Sequence, residues 1–192
     1  MRSVRALLHA ATAELHAEVE ARLNPMLVQG ETGYASFLRA NAAAIVPVEE
    51  TLEVAGIAAL LSDWDMRRRS SALLDDIEAL GAERPQPVSS PDMQGEAFML
   101  GAAYVLEGSR LGAKILTRDI LADAGPRMRV ASRFLRHGEG QQLWPSFVVR
   151  LEGSQAVQDA PDEAVKGAET VFALFDAAAR SVAQADGVLT HV

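Results

Sequence analysis

The chain has 192 residues, 49% hydrophobic and 5% aromatic, with 18 Lys and Arg against 26 Asp and Glu for a formal net charge of −8. That length supports one domain with a real core, expected over residues 1–192, while the negative balance excludes a general nucleic-acid binder and the absence of cysteine excludes disulfides, zinc fingers, iron–sulfur clusters and thiolate ligation. No run of 18 uncharged apolar residues occurs, so no membrane span is expected and the cytoplasm is the expected compartment.

A first helix is expected over residues 3–23, where Leu8, Ala11, Leu15, Val19 and Leu23 recur at helical spacing, Ser3 suits an N-cap and Asn24-Pro25 supplies a stop. After a turn ending in Gly30 and Gly33, a second helix covers 34–54 with Phe37, Leu38, Ile45, Val48 and Leu52 near one face. Pro47 lies inside it and predicts a kink or a break. Residues 56–62 read as a connection, and Asp63 is placed to cap a third helix over 63–80, with Met66, Leu73, Ile77 and Leu80 apolar and Gly81 as its stop. Prolines at 85, 87 and 91 mark a loop over 82–91. A long helix then spans 93–124, and shorter ones are expected over 126–136 and 140–152. A last helix over 161–185 carries Val165, Ala168, Val171, Phe172 and Phe175. No internal repeat, strand alternation or linker is evident, so the fold class is all-α, a single-domain helical bundle.

Gly101, Gly108 and Gly112 lie inside the long helix, although each costs roughly 0.8–1.0 kcal/mol against Ala in a helix interior. At about 100° per residue, their spacing places all three within about 40° of one another, a stripe without side chains. Two readings fit: a tight helix–helix crossing that needs small residues, or a surface on which something flat lies against the backbone. The chain's 4 histidines are His9, His16, His137 and His191. His191 sits in a terminal tail expected to be disordered, and His137, ahead of Gly138, is expected to end a helix, where an imidazolium suits the dipole. His9 and His16 share nearly one face of the first helix. There, a histidine is either structural or a ligand. Glu20, one turn beyond His16, is either a solvated helix residue or the partner that fixes the ring's tautomer and raises its basicity.

A dinuclear carboxylate centre in a helical bundle needs Glu-x-x-His pairs on two helices, and the chain has no such pair. Gly-x-Ser-x-Gly and Gly-Lys-Ser/Thr are absent too. What remains is an imidazole on one helix and bare backbone on another, able to hold opposite faces of a porphyrin and to leave room for a small diatomic ligand. Arginines cluster at Arg67, Arg68 and Arg69 and again at Arg127, Arg129, Arg133 and Arg136. Solvated helix faces are the expectation, with a propionate clamp or a docking patch for an acidic electron-donor protein as the sharper alternative. Trp144 is expected in core packing or at the border of the same pocket.

Two runs resemble the heme oxygenase family. Ala11-Thr-Ala-Glu-Leu-His16-Ala-Glu-Val-Glu20 is similar to the family's proximal helix, whose histidine binds heme iron and whose following Glu supports it. Tyr104-Val-Leu-Glu-Gly108-Ser-Arg-Leu-Gly112-Ala is similar to its distal helix, with paired glycines over the heme. Gly33-Tyr-Ala-Ser-Phe37 and Gly167-Ala-Glu-Thr-Val-Phe172-Ala-Leu-Phe175 match the family's layout, so the resemblance covers most of the chain. It implies a heme oxygenase-like bundle in which heme b is both substrate and cofactor, opened with O2 and electrons from an external donor to biliverdin, CO and ferrous iron. By position it implies His16 as the iron ligand and Glu20 as its supporting partner. It places Gly101, Val105, Gly108 and Gly112 against the heme, with Gly108, Gly112 and Ser109 as the catalytic distal positions.

The implied reductant is a ferredoxin- or flavoprotein-type protein. Glu-Gly-Ser-Arg-Leu-Gly is closer to bacterial members, including those of bacteriophytochrome pathways. Two features depart from the family pattern. Many members carry an Asp after the first distal glycine, organising water, and Ser109 cannot supply that carboxylate. The lysines that meet heme propionates in many members are missing near His16, where Ala13 and His9 stand. A non-catalytic heme carrier or sensor on the same fold is therefore the alternative reading, and a heme-free helical module the third.

Overall fold

The first turn of α1 (Val4–Leu27) is pinned from outside: the Ser3 hydroxyl accepts from Ala6 N at 3.3 Å, and Glu152 accepts from the Val4 and Arg5 amides at 2.9 Å each. A carboxylate on free amides at a helix N-terminus satisfies orphan donors and opposes the dipole. The computed structural model describes residues 3–122 and 124–187, with 113–119 and 121–122 as backbone only; His191 lies outside them. Leu8, Val19 and Leu23 are buried as expected, but Ala11 is exposed and Thr12 takes the buried position, its hydroxyl donating to Leu8 O at 2.8 Å. Pro25 does not stop the helix. It falls in the last turn, where only the one bond to Ala21 O is forgone, and the chain turns only after Leu27.

α2 (Gly30–Val54) starts one turn earlier than its sequence pattern suggests, because Gly33 lets its backbone close on the end of α1: a Cβ there would lie 2.0 Å from Met26 O. Pro47 neither breaks nor ends α2. Proline cannot donate to the carbonyl four residues back, and that carbonyl, Ala43 O, instead accepts from Val88 N at 3.0 Å. The proline-rich loop thus repairs the defect in the helix it covers.

The expected third helix is divided. A 3-10 turn (Ile57–Ala59) occupies the connection, and α3 (Trp64–Arg67) is separated from α4 (Ser70–Ala79) by Arg68 and Arg69. The break has a cause in Glu49, a buried residue of α2. Its carboxylate accepts from Arg69 N at 2.8 Å and from Ser70 N at 3.0 Å, capping α4. Leu73, Ile77 and Leu80 are buried, whereas Met66 is 53% exposed.

Asp76 of α4 does the same for the next segment, accepting from Arg133 N at 3.1 Å and Phe134 N at 2.8 Å. The expected helix over 126–136 is therefore two, α6 (Pro126–Val130) and α7 (Arg133–Arg136), with Tyr34 Oη donating to Ala131 O at 2.7 Å between them. α8 (Leu143–Glu152) and a short α9 (Gln155–Asp159) lead to α10 (Pro161–Ala185), which has its expected bounds. Residues 82–95 carry no helix, as the prolines require, and α5 (Glu96–Ala122) follows.

No strand occurs among the described residues. α10 is the hub: it packs against α1, α2 and α5 through Ala164, Ala168, Val171, Phe175 and Val182. Fully burying each large apolar side chain contributes roughly 1.5–3 kcal/mol, and Leu38, Ile45, Leu52, Ile77, Leu100 and Phe147 all qualify.

Candidate functional site

α1 and α5 both pack on α10 yet scarcely touch each other. The space between them is a cavity of about 760 Å³, bounded by Phe37 and Asn41 of α2, Phe134 of α7, Trp144 of α8 and Phe172 of α10. Its size lies within the roughly 300–1,000 Å³ typical of cofactor pockets.

On the α1 side stand Arg5, His9, Thr12 and His16. The His16 ring meets Phe172 edge-on at 5.8 Å between centroids and 86° between planes. Its Nδ1 lies 3.6 Å from Glu20 Oε2, both side chains being more than half exposed at the cavity rim. At that separation the two are not directly hydrogen-bonded, but a carboxylate on the Nδ1 side favours the Nδ1–H tautomer, which leaves Nε2 as the nitrogen with a free lone pair.

On the α5 side the glycine stripe divides in two. Gly101 belongs to the helix crossing: a Cβ there would lie 1.9 Å from Ala164 O, and a Cβ on Gly167 of α10 would lie 2.1 Å from Phe98 O. It does not line the cavity, which corrects the expectation of a single stripe of three. Gly108 and Gly112 do line it, together with Val105 and Ser109. A Cβ on Gly112 would meet nothing within 4 Å, and one on Gly108 would meet only Trp144, at 3.7 Å.

Ser109 is held from behind the wall. Its hydroxyl donates to Leu106 O and accepts from Arg69 Nη2, each at 2.8 Å. The hydroxyl proton is therefore committed, and one lone pair remains to accept from water. Arg69 is fully buried, with its Cζ 5.1 Å from the centroid of Phe134 and its Nε unpartnered. Burial, with Arg110 nearby, lowers its pKa to about 9, so it stays cationic at neutral pH.

Against known proteins, no family model matches the chain. A protein of Xanthomonas campestris pv. campestris (strain 8004) named heme oxygenase is 32% identical over 146 residues, covering 74% of this chain and 86% of the relative. The chain belongs to the heme oxygenase family. Its fold is likewise that of the NO- and CO-bound heme oxygenase of Neisseria meningitidis, with a TM-score of 0.76 at 20% identity over 95% of this chain and 92% of that one. The family degrades heme, and the all-α heme oxygenase fold and an enzymatic role in heme degradation follow for this chain.

Against this family background the arginine runs need correction. Arg67 and Arg69 are not solvated: they are 2% and 1% exposed, and only Arg68 reaches outward, to Glu53 at 3.1 Å. Arg67 Nη1 donates to Glu107 Oε2 at 2.8 Å and Arg110 Nη2 to Glu107 Oε1 at 3.0 Å, two guanidiniums on one buried carboxylate. Arg127, Arg129, Arg133 and Arg136 are exposed, as expected for solvated faces. His137 does cap the end of α7, but not as an imidazolium. Arg110 Nη1 lies 2.9 Å from its Nδ1, and a guanidinium can only donate, so Nδ1 is unprotonated. Burial, with Arg110 and Arg69 beside it, lowers its pKa to about 4.

Sequence reasoning missed Arg5, Asn41, Tyr104 and Arg69 at the site. Asn41 alone carried a signal, being a polar residue amid the apolar run of α2; it is buried, and its Nδ2 donates to Phe37 O at 2.8 Å. Trp144 both packs and borders the cavity, its ring 5.8 Å from Tyr104 and 6.0 Å from Phe147.

Proposed function

We propose that residues 1–192 work as one heme oxygenase-like domain in which His16 ligates heme iron and Gly108, Ser109 and Gly112 form the opposite wall. The observation that carries this reading is the cavity bounded by an imidazole on α1 and by bare backbone on α5. The residues present suit a porphyrin. Aromatic rings from five helices edge the cavity, and a side chain on Gly112 would project into open space.

When bound, heme supplies both the iron at which O2 is reduced and the meso carbon that is oxidised. The protein's part is positional. Glu20, on the Nδ1 side of His16, would favour the tautomer that leaves Nε2 for the iron. Gly108 and Gly112 leave a diatomic molecule free to lie close to the ring, and among the described residues lining that wall no acid–base pair stands to direct other chemistry. Ser109, charge-assisted by Arg69, accepts from a water there and so stands in for the absent carboxylate. At the other rim Arg5, His9 and Tyr104 are placed to meet the propionates; burial raises the Tyr104 pKa and the Arg5 charge opposes that rise. Electrons come from a ferredoxin- or flavoprotein-type donor, in the cytoplasm, with a bacteriophytochrome pathway as one setting.

Hemin titration followed by turnover with a reductant tests the proposal. A saturable 1:1 Soret shift followed by decay to biliverdin is expected. A stable ferrous–oxy complex would instead make the chain a carrier, and no saturable shift would make it a heme-free module. His16→Ala is expected to abolish the native axial ligation, and an unchanged ferric spectrum would assign the ligand to His9 or another group.

A further inference from the structure

Trp144 marks where the two cavity glycines cease to be equivalent. A Cβ on Gly108 would meet Cζ3 and Cη2 of the indole at 3.7 and 3.9 Å, whereas one on Gly112 would meet nothing within 4 Å. The ring is held by its neighbours, tilted 50° against Tyr104 and 30° against Phe147, both buried. Behind it, a second cavity of about 220 Å³ lies between α5 and the α7–α8 connection. Trp144 and Leu111 line both spaces and form the partition between them.

We propose that Trp144 is a specificity-determining residue: its indole closes the Gly108 side of the space over the macrocycle and turns the diatomic reactant toward the Gly112 side. It thereby selects which meso edge is attacked. The proposal rests on the heme reading above. The meso carbons of a porphyrin are close in intrinsic reactivity, so the choice among them falls to the surrounding walls. This wall is one-sided, and an indole with only two torsions, wedged between two rings, is stiff enough to maintain it. Little energy is required, since a tenfold preference corresponds to about 1.4 kcal/mol.

The test compares W144F and W144A with the parent protein, using hemin, O2 and a chemical reductant, and separates the biliverdin isomers. W144A is expected to change the isomer ratio at least tenfold and W144F less, with His16 ligation unaltered in both. An unchanged isomer ratio in W144A overturns the proposal. An independent readout uses gallium(III) protoporphyrin IX and the indole N–H resonances of ¹⁵N-Trp protein, that of Trp144 being identified by its loss in W144F. Ring current is expected to displace the Trp144 resonance, and an unmoved one overturns the proposal even if biliverdin forms. If no variant makes biliverdin, the enzymatic reading fails separately. The C–O stretch of the reduced, CO-loaded protein then decides on the wall: a shift in W144A supports it, and no shift refutes it.

Discussion

Three glycines of one helix should answer the same substitution in three different ways. Gly101→Ala places a Cβ 1.9 Å from Ala164 O, 2.6 Å from its carbonyl carbon and 2.8 Å from its Cα. These are backbone atoms of α10, which cannot swing aside as a side chain can, so the helices must separate at their main crossing. Overpacking costs typically 1–3 kcal/mol, and an overlap with backbone belongs at or above the top of that range, roughly 3 kcal/mol or a fall in Tm of about 6–12 °C. Gly112→Ala meets nothing, so it should recover the helix propensity lost to glycine, up to about 1 kcal/mol or 2–4 °C. Gly108→Ala makes only an ordinary contact with Trp144 and should gain somewhat less. Melting of the heme-free proteins followed by circular dichroism, paired with hemin and CO titrations, reads both halves. The cavity variants should melt at or above the parent temperature while binding hemin or CO more weakly. A Gly101→Ala protein as stable as the parent, or a Gly112→Ala protein clearly less stable, would refute the division of the stripe.

Two further substitutions address the wall behind those glycines. Glu107→Ala removes the carboxylate shared by Arg67 and Arg110; Arg67 keeps Asp63 at 2.7 Å, but the buried Arg110 loses its carboxylate partner. A loss of about 3–5 kcal/mol is expected in urea unfolding, and a loss under 1 kcal/mol would refute the assignment. His137→Gln should remove an acid sensitivity. The folded pKa near 4 lies below the unfolded value of 6.5, so between those values the unfolded chain binds more protons and the parent loses stability as pH falls. The full gap is worth roughly 3 kcal/mol, and solvent reaching the half-buried ring leaves about 1–2 kcal/mol. Urea midpoints at pH 7 and pH 4.5 should therefore diverge less in the variant than in the parent; equal divergence would refute a neutral buried imidazole.

Much of the fold was legible because the long helices advertise themselves by period, and α10 was read to its ends. The misread breaks in the third helix and in the one after it, and the tolerated Pro47, share one physical origin, a polar group supplied from a distant element. Glu49 splits the third helix and Asp76 splits the next by capping amides that local sequence leaves open. Pro47 is tolerated because Val88 satisfies Ala43 O from a loop about forty residues away in sequence. At the site, His16, Gly108 and Gly112 were visible as residues out of place in helices. Arg69 was not, because a run of three arginines looks like a solvated face until two of them are found to have buried carboxylates nearby.

Those buried charges and the bare backbone belong to one design problem. A helix stripped of side chains along part of one face has lost the packing that would fix it there, yet a wall over a reacting ring has to stay still. On α5, Gly108 and Gly112 are interleaved with residues that grip in other directions. Glu107 takes bonds from Arg67 and Arg110, Arg110 also donates to Arg67 O and to His137, and Ser109 is held by Arg69. Arg67 in turn reaches Leu143 O at 2.9 Å and Ser146 Oγ at 2.8 Å, tying the same network to α8, the helix that carries Trp144. Hydrogen-bonded charge is a costly way to gain stability, but it is directional, and apolar contact is not. The polar network behind α5 is thus what allows its front to be left empty.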